Sequence, residues 1–176
     1  NWVLLFSKFL AIVKMQIALL ILILVAGVLI QSYHGYYNFE IGHYLVELYG
    51  IKIFHFMAWA FMAVFIQTIF KNYLLGFFIL MLLSIGIQFL SQIGIEQDIF
   101  SFNSDTRYAY SDMNGYGHSL NSYYLYKLYW NLLGIVLFCI ALLFWKRGIP
   151  MSIKERFVNA RKRCSPKLAI PMIVAL

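Results

Sequence analysis

LYKLYWNLLGIVLFCIALLFWKR, residues 125–147, is the stretch whose reading decides the fold. Between Leu125 and Trp145 it carries a single charge, Lys127, and then closes on Trp145-Lys146-Arg147. An apolar run of about 20 residues, coiled as an α-helix, covers the hydrocarbon core of a bilayer. An aromatic and basic stop suits the cytoplasmic interface. Three more stretches of similar length and character precede it, residues 12–31, 51–70 and 73–93. The chain is 62% apolar and only 12% charged, which places it outside the composition of soluble domains. The expected fold is therefore an all-α membrane protein of four transmembrane helices forming a single domain.

The charges orient these spans. Of 14 Lys and Arg, eight follow the last span: Lys146, Arg147, Lys154, Arg156, Arg161, Lys162, Arg163 and Lys167. Cytoplasmic loops carry the excess of positive charge, so residues 146–167 are expected inside. Counting back, the two-residue turn 71–72 with Lys71 is inside, as are Lys8 and Lys14. Residues 32–50 and 94–124 are then external, and they hold six of the seven acids. The net charge of +7 reads mostly as this orientation signal, with affinity for anionic headgroups. No groove-reading pattern accompanies the basic cluster, so nucleic acid is not an expected partner. Cys139 within the fourth span and Cys164 in the basic tail form no CxxC. This argues against the four-helix disulfide-forming membrane oxidoreductases.

Between the spans, Ile41, Leu45 and Leu48 recur at helical spacing opposite Glu40, His43 and Glu47. That pattern predicts a short amphipathic helix on the outer surface. The turn 71–72 makes spans two and three antiparallel neighbours. Gly76, Ser84, Gly86, Gln88 and Ser91 are expected to face other helices. Residues 94–121 form a polar external loop with a tight turn at Asn114-Gly115. Ser152 and Glu155 sit at capping-box spacing and should open a basic cytoplasmic helix to about Arg163. A final apolar run, 168–176, is expected to begin a fifth span of a longer polypeptide.

Four groupings have chemical potential. Glu40, His43 and Glu47 offer two carboxylates and an imidazole on one helix face; they read either as a metal site or as a solvated, ion-paired face. His34 and His55 are the one histidine pair at a depth that suits a haem, against the plainer reading of interfacial histidines. Asp112, Asn114 and Gly115 read as a turn rather than a calcium loop. Gln67, Thr68, Ser84 and Gln88 read as a polar path or as interhelical hydrogen bonds, with no ionisable group at mid-membrane. Walker, HExxH and GxSxG motifs are missing from the sequence, so neither ATP hydrolysis nor another catalytic activity is expected of these residues themselves.

Several local patterns recur in a familiar order. They are Tyr36-Tyr37-Asn38-Phe39-Glu40-Ile41-Gly42, Lys71-Asn72-Tyr73-Leu74-Leu75-Gly76, Tyr110-Ser111-Asp112-Met113-Asn114-Gly115-Tyr116-Gly117-His118, Leu128-Tyr129-Trp130 and Trp145-Lys146-Arg147-Gly148. From about Tyr36 to Arg163 the chain resembles the membrane region of large bacterial proteins that join an exporter-type ATP-binding-cassette permease to a zinc aminopeptidase-like domain. The resemblance implies an inner-membrane permease working with a separate ATPase subunit, which would hold the ATP. Lys71, Asn72, Lys154, Arg156 and Arg161 would then contact that ATPase. Tyr110, Asp112, Asn114 and His118 would form the outer gate or substrate contact. A peptidase domain would lie beyond Leu176, so no catalytic residue carries over. Further spans of the same chain, or a second copy, would complete the permease. The alternative is a non-transporting assembly subunit of an envelope complex, and a haem or metal redox protein is a third reading.

Overall fold

The computed structural model describes residues 2–70, 72–90, 101–104, 108, 110, 111, 113, 115–117 and 119–145. Every regular element among them is helical: α1 (Trp2–Tyr33), α2 (Ile41–Leu45), a π-helix (Val46–Lys52), α3 (Ile53–Ile69), α4 (Tyr73–Leu90) and α5 (Ser119–Phe144). Three stretches are long and apolar enough to cross a membrane: Trp2–Tyr33, Ile41–Ile69 and Ser119–Phe144. The fourth, α4, is equally apolar but runs for 18 residues. Residues 91–93 of that expected span lie outside the described residues, as do Lys71, Lys154, Arg156, Arg161, the expected basic helix and the final apolar run.

Local chemistry sets the helix ends. α1 starts ten residues earlier than the sequence pattern suggests, because Trp2–Ala11 contains no helix breaker and its Leu5 and Phe9 find buried places. It stops at Gly35, whose φ of +77° is a left-handed conformation that glycine adopts without a Cβ clash. There Tyr36 N–H donates to Gln31 O at 3.0 Å and Gly35 N–H to Ser32 O at 3.1 Å, the paired bonds of a Schellman ending. At the opposite end of the molecule, Phe70 turns to an extended backbone after α3. Asn72 then caps α4, its Oδ1 accepting from Leu74 N–H at 3.0 Å.

The expected separate amphipathic helix at the outer surface is corrected by the structure. α2, the π-helix and α3 run on from one another with helical backbone at each junction, so residues 41–69 make one rod. No Pro interrupts the segment, and the wider π-turn absorbs Gly50 without ending the helix.

α3 is the centre of the bundle. It packs most extensively on α5 and also touches α1 and α4. Lipid is as apolar as a helix side chain, so helices in a membrane associate through close packing, which small residues permit. Ala58 and Ala60 of α3 and Gly134 and Ala141 of α5 are such residues, all buried. A Cβ built on Gly134 would lie 2.6 Å from the Phe61 ring, so the backbones meet at that glycine. Below it Phe9, Phe61 and Phe138 form the aromatic centre of the core, with Phe9 stacked on Phe61 at 4.5 Å between ring centroids. Leu5, Val64 and Leu142 complete this cluster.

α4 lies at the edge of the bundle. Gly76 is its one buried residue among those described, and a Cβ built on it would lie 3.7 Å from the Gln67 side chain of α3. Of the small and polar residues expected to face other helices, Gly76 and Ser84 do so. Gly86 and Gln88 are on the exposed side, and Ser91 lies outside the described residues.

Candidate functional site

The end of the bundle where α1 finishes and α5 starts is held together by polar side chains of α5 reaching carbonyls of the π-helix and α3. Tyr123 Oη donates to Ile51 O at 3.2 Å and Tyr124 Oη to Gly50 O at 3.2 Å. Two turns on, Asn131 Nδ2 donates to Phe54 O at 3.1 Å. From α1, Gln16 Nε2 donates to Phe56 O at 3.0 Å, and Gln31 bonds Tyr44 Oη. A π-turn shifts the hydrogen-bond register, so carbonyls near its end are open to outside donors.

Lys127 is the hub of this region. It is the ninth residue of α5 and is 1% exposed. Its Nζ donates to Asn103 O at 2.9 Å, Asn103 Oδ1 at 2.9 Å and Ser104 O at 3.0 Å, and lies 3.2 Å from His55 Nδ1. Three oxygen acceptors match the three protons of an ammonium. The Tyr123 ring, one turn back on α5, lies 5.2 Å from the same nitrogen and adds the attraction of its π face.

Asn103 makes the geometry possible. Its φ of 57° is left-handed, a conformation that Asn tolerates better than most residues. That bend turns its carbonyl and its side-chain oxygen toward the same ammonium. Its Nδ2 meanwhile donates to His55 O at 2.8 Å, tying loop, α3 and α5 into one network. The preceding Phe102 is wedged between Trp59 of α3 and Trp130 of α5, at 5.2 and 5.0 Å between ring centroids. Residues 101–104 are thus pinned by one aromatic wedge and one buried cation.

A second cluster joins α2 to the rest of the loop. His43 meets Tyr110 at 4.2 Å and stacks on Tyr116 at 5.8 Å, while its Nε2 lies 3.8 Å from Glu47. Tyr108 links the two clusters, 5.0 Å from Tyr123 and with the Lys52 ammonium 5.3 Å above its ring. Burial pushes the Tyr116 hydroxyl above its ordinary pKa, with a smaller push from the Glu47 carboxylate. Ser111 and Gly115 exchange both backbone hydrogen bonds, at 2.9 and 2.7 Å, and Gly115 has φ +57°. Gly115 of the tight turn expected there is described, whereas Asn114 lies outside the described residues.

Of the expected gate residues, Tyr110 is in this cluster, whereas Asp112, Asn114 and His118 lie outside the described residues. Of the metal candidates, His43 and Glu47 pair but Glu40 does not complete a set. Among the described residues no three His, Cys, Asp or Glu side chains gather to hold an ion. His34 meets the Tyr33 ring edge-on, while His55 Nδ1 faces Lys127. Thr68 donates to Val64 O of its own helix at 2.7 Å, leaving Gln67 and Ser84 on separate clefts. Asn72, an expected ATPase contact, has its side-chain oxygen engaged as the cap of α4.

In the sequence Lys127 is the single charge near the start of the expected fourth span. The readable signal was the stripe Tyr123, Lys127, Asn131 at four-residue spacing, a polar face on an otherwise apolar helix. Fold and site together define a helical membrane protein with a buried cation locking a loop onto its central helix pair. No family model, no curated protein and no solved structure matches the chain.

Proposed function

We propose that the chain is a membrane-spanning permease segment of an ATP-binding-cassette transporter in the bacterial inner membrane. In this reading it has four spans, with α4 crossing as the third. The Lys127 end faces outward and the Trp145 end faces the basic cytoplasmic side. The observation that carries the reading is the asymmetry of the bundle. One end is sealed by the Lys127–Asn103 network, while the other opens into a cleft of about 450 Å³ between α1, α3 and the start of α4. A closed outer end above an open inner end is the geometry expected of an alternating-access segment at rest.

The resemblance drawn from residues 36–163 supports the same assignment and supplies the partner. A separate ATPase would bind ATP and engage the turn at Lys71 and Asn72 together with Lys154, Arg156 and Arg161. The segment itself acts by rearrangement rather than catalysis. The second reading is a non-transporting assembly subunit. It is favoured by the way Lys127 spends all three protons within the chain, which makes the outer end a fixed buttress.

Gentle purification of the protein from its native membrane, with mass spectrometry of everything bound, separates the two. The permease reading expects a nucleotide-binding ATPase subunit in the intact complex. Recovery with other envelope proteins and no ATPase would move the assignment to the assembly subunit.

A further inference from the structure

The open cleft at the Trp145 end is chemically two-layered. Leu5 and Val64 are nearly fully buried and form an apolar floor, whereas Lys8, Gln67 and Tyr73 are exposed around the rim. The Lys8 ammonium sits 4.4 Å from the Trp145 ring, on the wall of the cleft. A π face attracts a cation without accepting its protons in normal hydrogen bonds. Among the described residues Lys8 Nζ makes this ring contact and no hydrogen bond. Tyr73 and Gln67 add a hydroxyl and an amide beside it. In the sequence the rim residues adjoin more positive charge, since Lys71 lies two positions before Tyr73 and Lys146-Arg147 follow Trp145.

A cation, an indole and a phenol ring the mouth of a cleft whose floor is hydrocarbon. That combination matches one class of molecule, an anionic phospholipid with its phosphate at the rim and an acyl chain on the floor. Basic pockets between spanning helices recognise phosphate headgroups in this way, and Trp and Tyr favour headgroup depth. We propose that the cleft of Leu5, Lys8, Val64, Gln67, Tyr73 and Trp145 is a specific anionic-phospholipid site, with Lys8 as the phosphate contact. The site depends on the membrane location of the bundle and not on the transport reading.

The full chain in mild detergent, titrated with phosphatidylglycerol or phosphatidylcholine and read by native mass spectrometry, tests this. Phosphatidylglycerol should be retained in preference to phosphatidylcholine. Lys8→Gln should weaken that retention by about fivefold, and Lys8→Arg should keep it. Lys14→Gln removes another exposed α1 lysine that does not line the cleft, and it should leave retention unchanged. Equal retention of the two lipids, an unchanged Lys8→Gln, or an equal loss in Lys14→Gln would overturn the proposal. Displacement of the bound lipid by millimolar inorganic phosphate alone would make the site one for a soluble anion instead.

Discussion

Lys127→Met is expected to lower the thermal stability of the detergent-solubilised protein by an amount equivalent to about 3–5 kcal/mol. Methionine fills the volume of the lysine stem but donates no proton. It would take the ammonium's protons away from Asn103 O, Asn103 Oδ1 and Ser104 O, and Asn103 is buried. The loss should be local before it is global. With the cation gone, the Phe102 wedge and the Asn103 bond to His55 O remain to hold residues 101–104 against α3, without the ammonium's three bonds. Limited proteolysis should therefore cut the 101–117 segment faster in the variant at temperatures where the helices remain intact. A variant that melts and digests like the parent would show that the ammonium carries little of the loop's attachment.

The second large effect is expected at Gly134. Substitution by Ala places a methyl group 2.6 Å from the Phe61 ring edge and 3.0 Å from Phe61 Cβ. Cβ is fixed to the backbone, so a ring rotation alone cannot relieve the contact and α3 and α5 must separate. Overpacking of this kind costs about 1–3 kcal/mol. The loss is amplified in a membrane, where close packing rather than water exclusion holds helices together. A double-mutant cycle isolates the cause. Phe61→Ala is destabilising alone, because it opens a cavity beside Phe9 and Phe138, but Gly134→Ala should cost less in that background, where the 2.6 Å ring contact is gone and the 3.0 Å contact with Cβ stays. Strict additivity of the two losses, measured by thermal unfolding in one detergent, would mean that the helices do not meet at this glycine.

The apolar architecture was legible because hydropathy over some 20 residues is a strong, local signal. The positions of α1, α3 and α5 follow from it, and so does the antiparallel pairing of α3 with α4 across a two-residue turn. What was not legible depended on partners far along the chain. Ile41, Leu45 and Leu48 carry an amphipathic pattern that predicts a separate surface helix, yet no residue between Gly50 and Ile53 forces a break and the rod continues. Lys127 reads as a charge beside an interface because no window of hydropathy contains Asn103, its partner 24 positions earlier. Asn103 itself is unremarkable in a loop rich in Asn and Ser until its left-handed backbone is seen. Glu40, His43 and Glu47 share a helical spacing, but spacing alone does not bring Glu40 to the pair. The loop and α5 tyrosines likewise find partners that no local pattern shows: Tyr110 and Tyr116 enclose His43, and the Tyr123 ring faces the Lys127 ammonium.

The central claim is that the Lys127 end and the Trp145 end face opposite sides of the membrane, with α4 crossing between them. Single cysteines in a Cys139→Ser, Cys164→Ser background, probed with a membrane-impermeant thiol reagent on intact cells, test it most directly. Tyr37→Cys and Met113→Cys replace residues that are 72% and 98% exposed, and Asn72→Cys replaces one on the short turn before α4. The account predicts that the first two react on intact cells and that Asn72→Cys reacts only after permeabilisation. Reaction of Asn72→Cys together with Met113→Cys from the same side would contradict it, since α4 would then not cross.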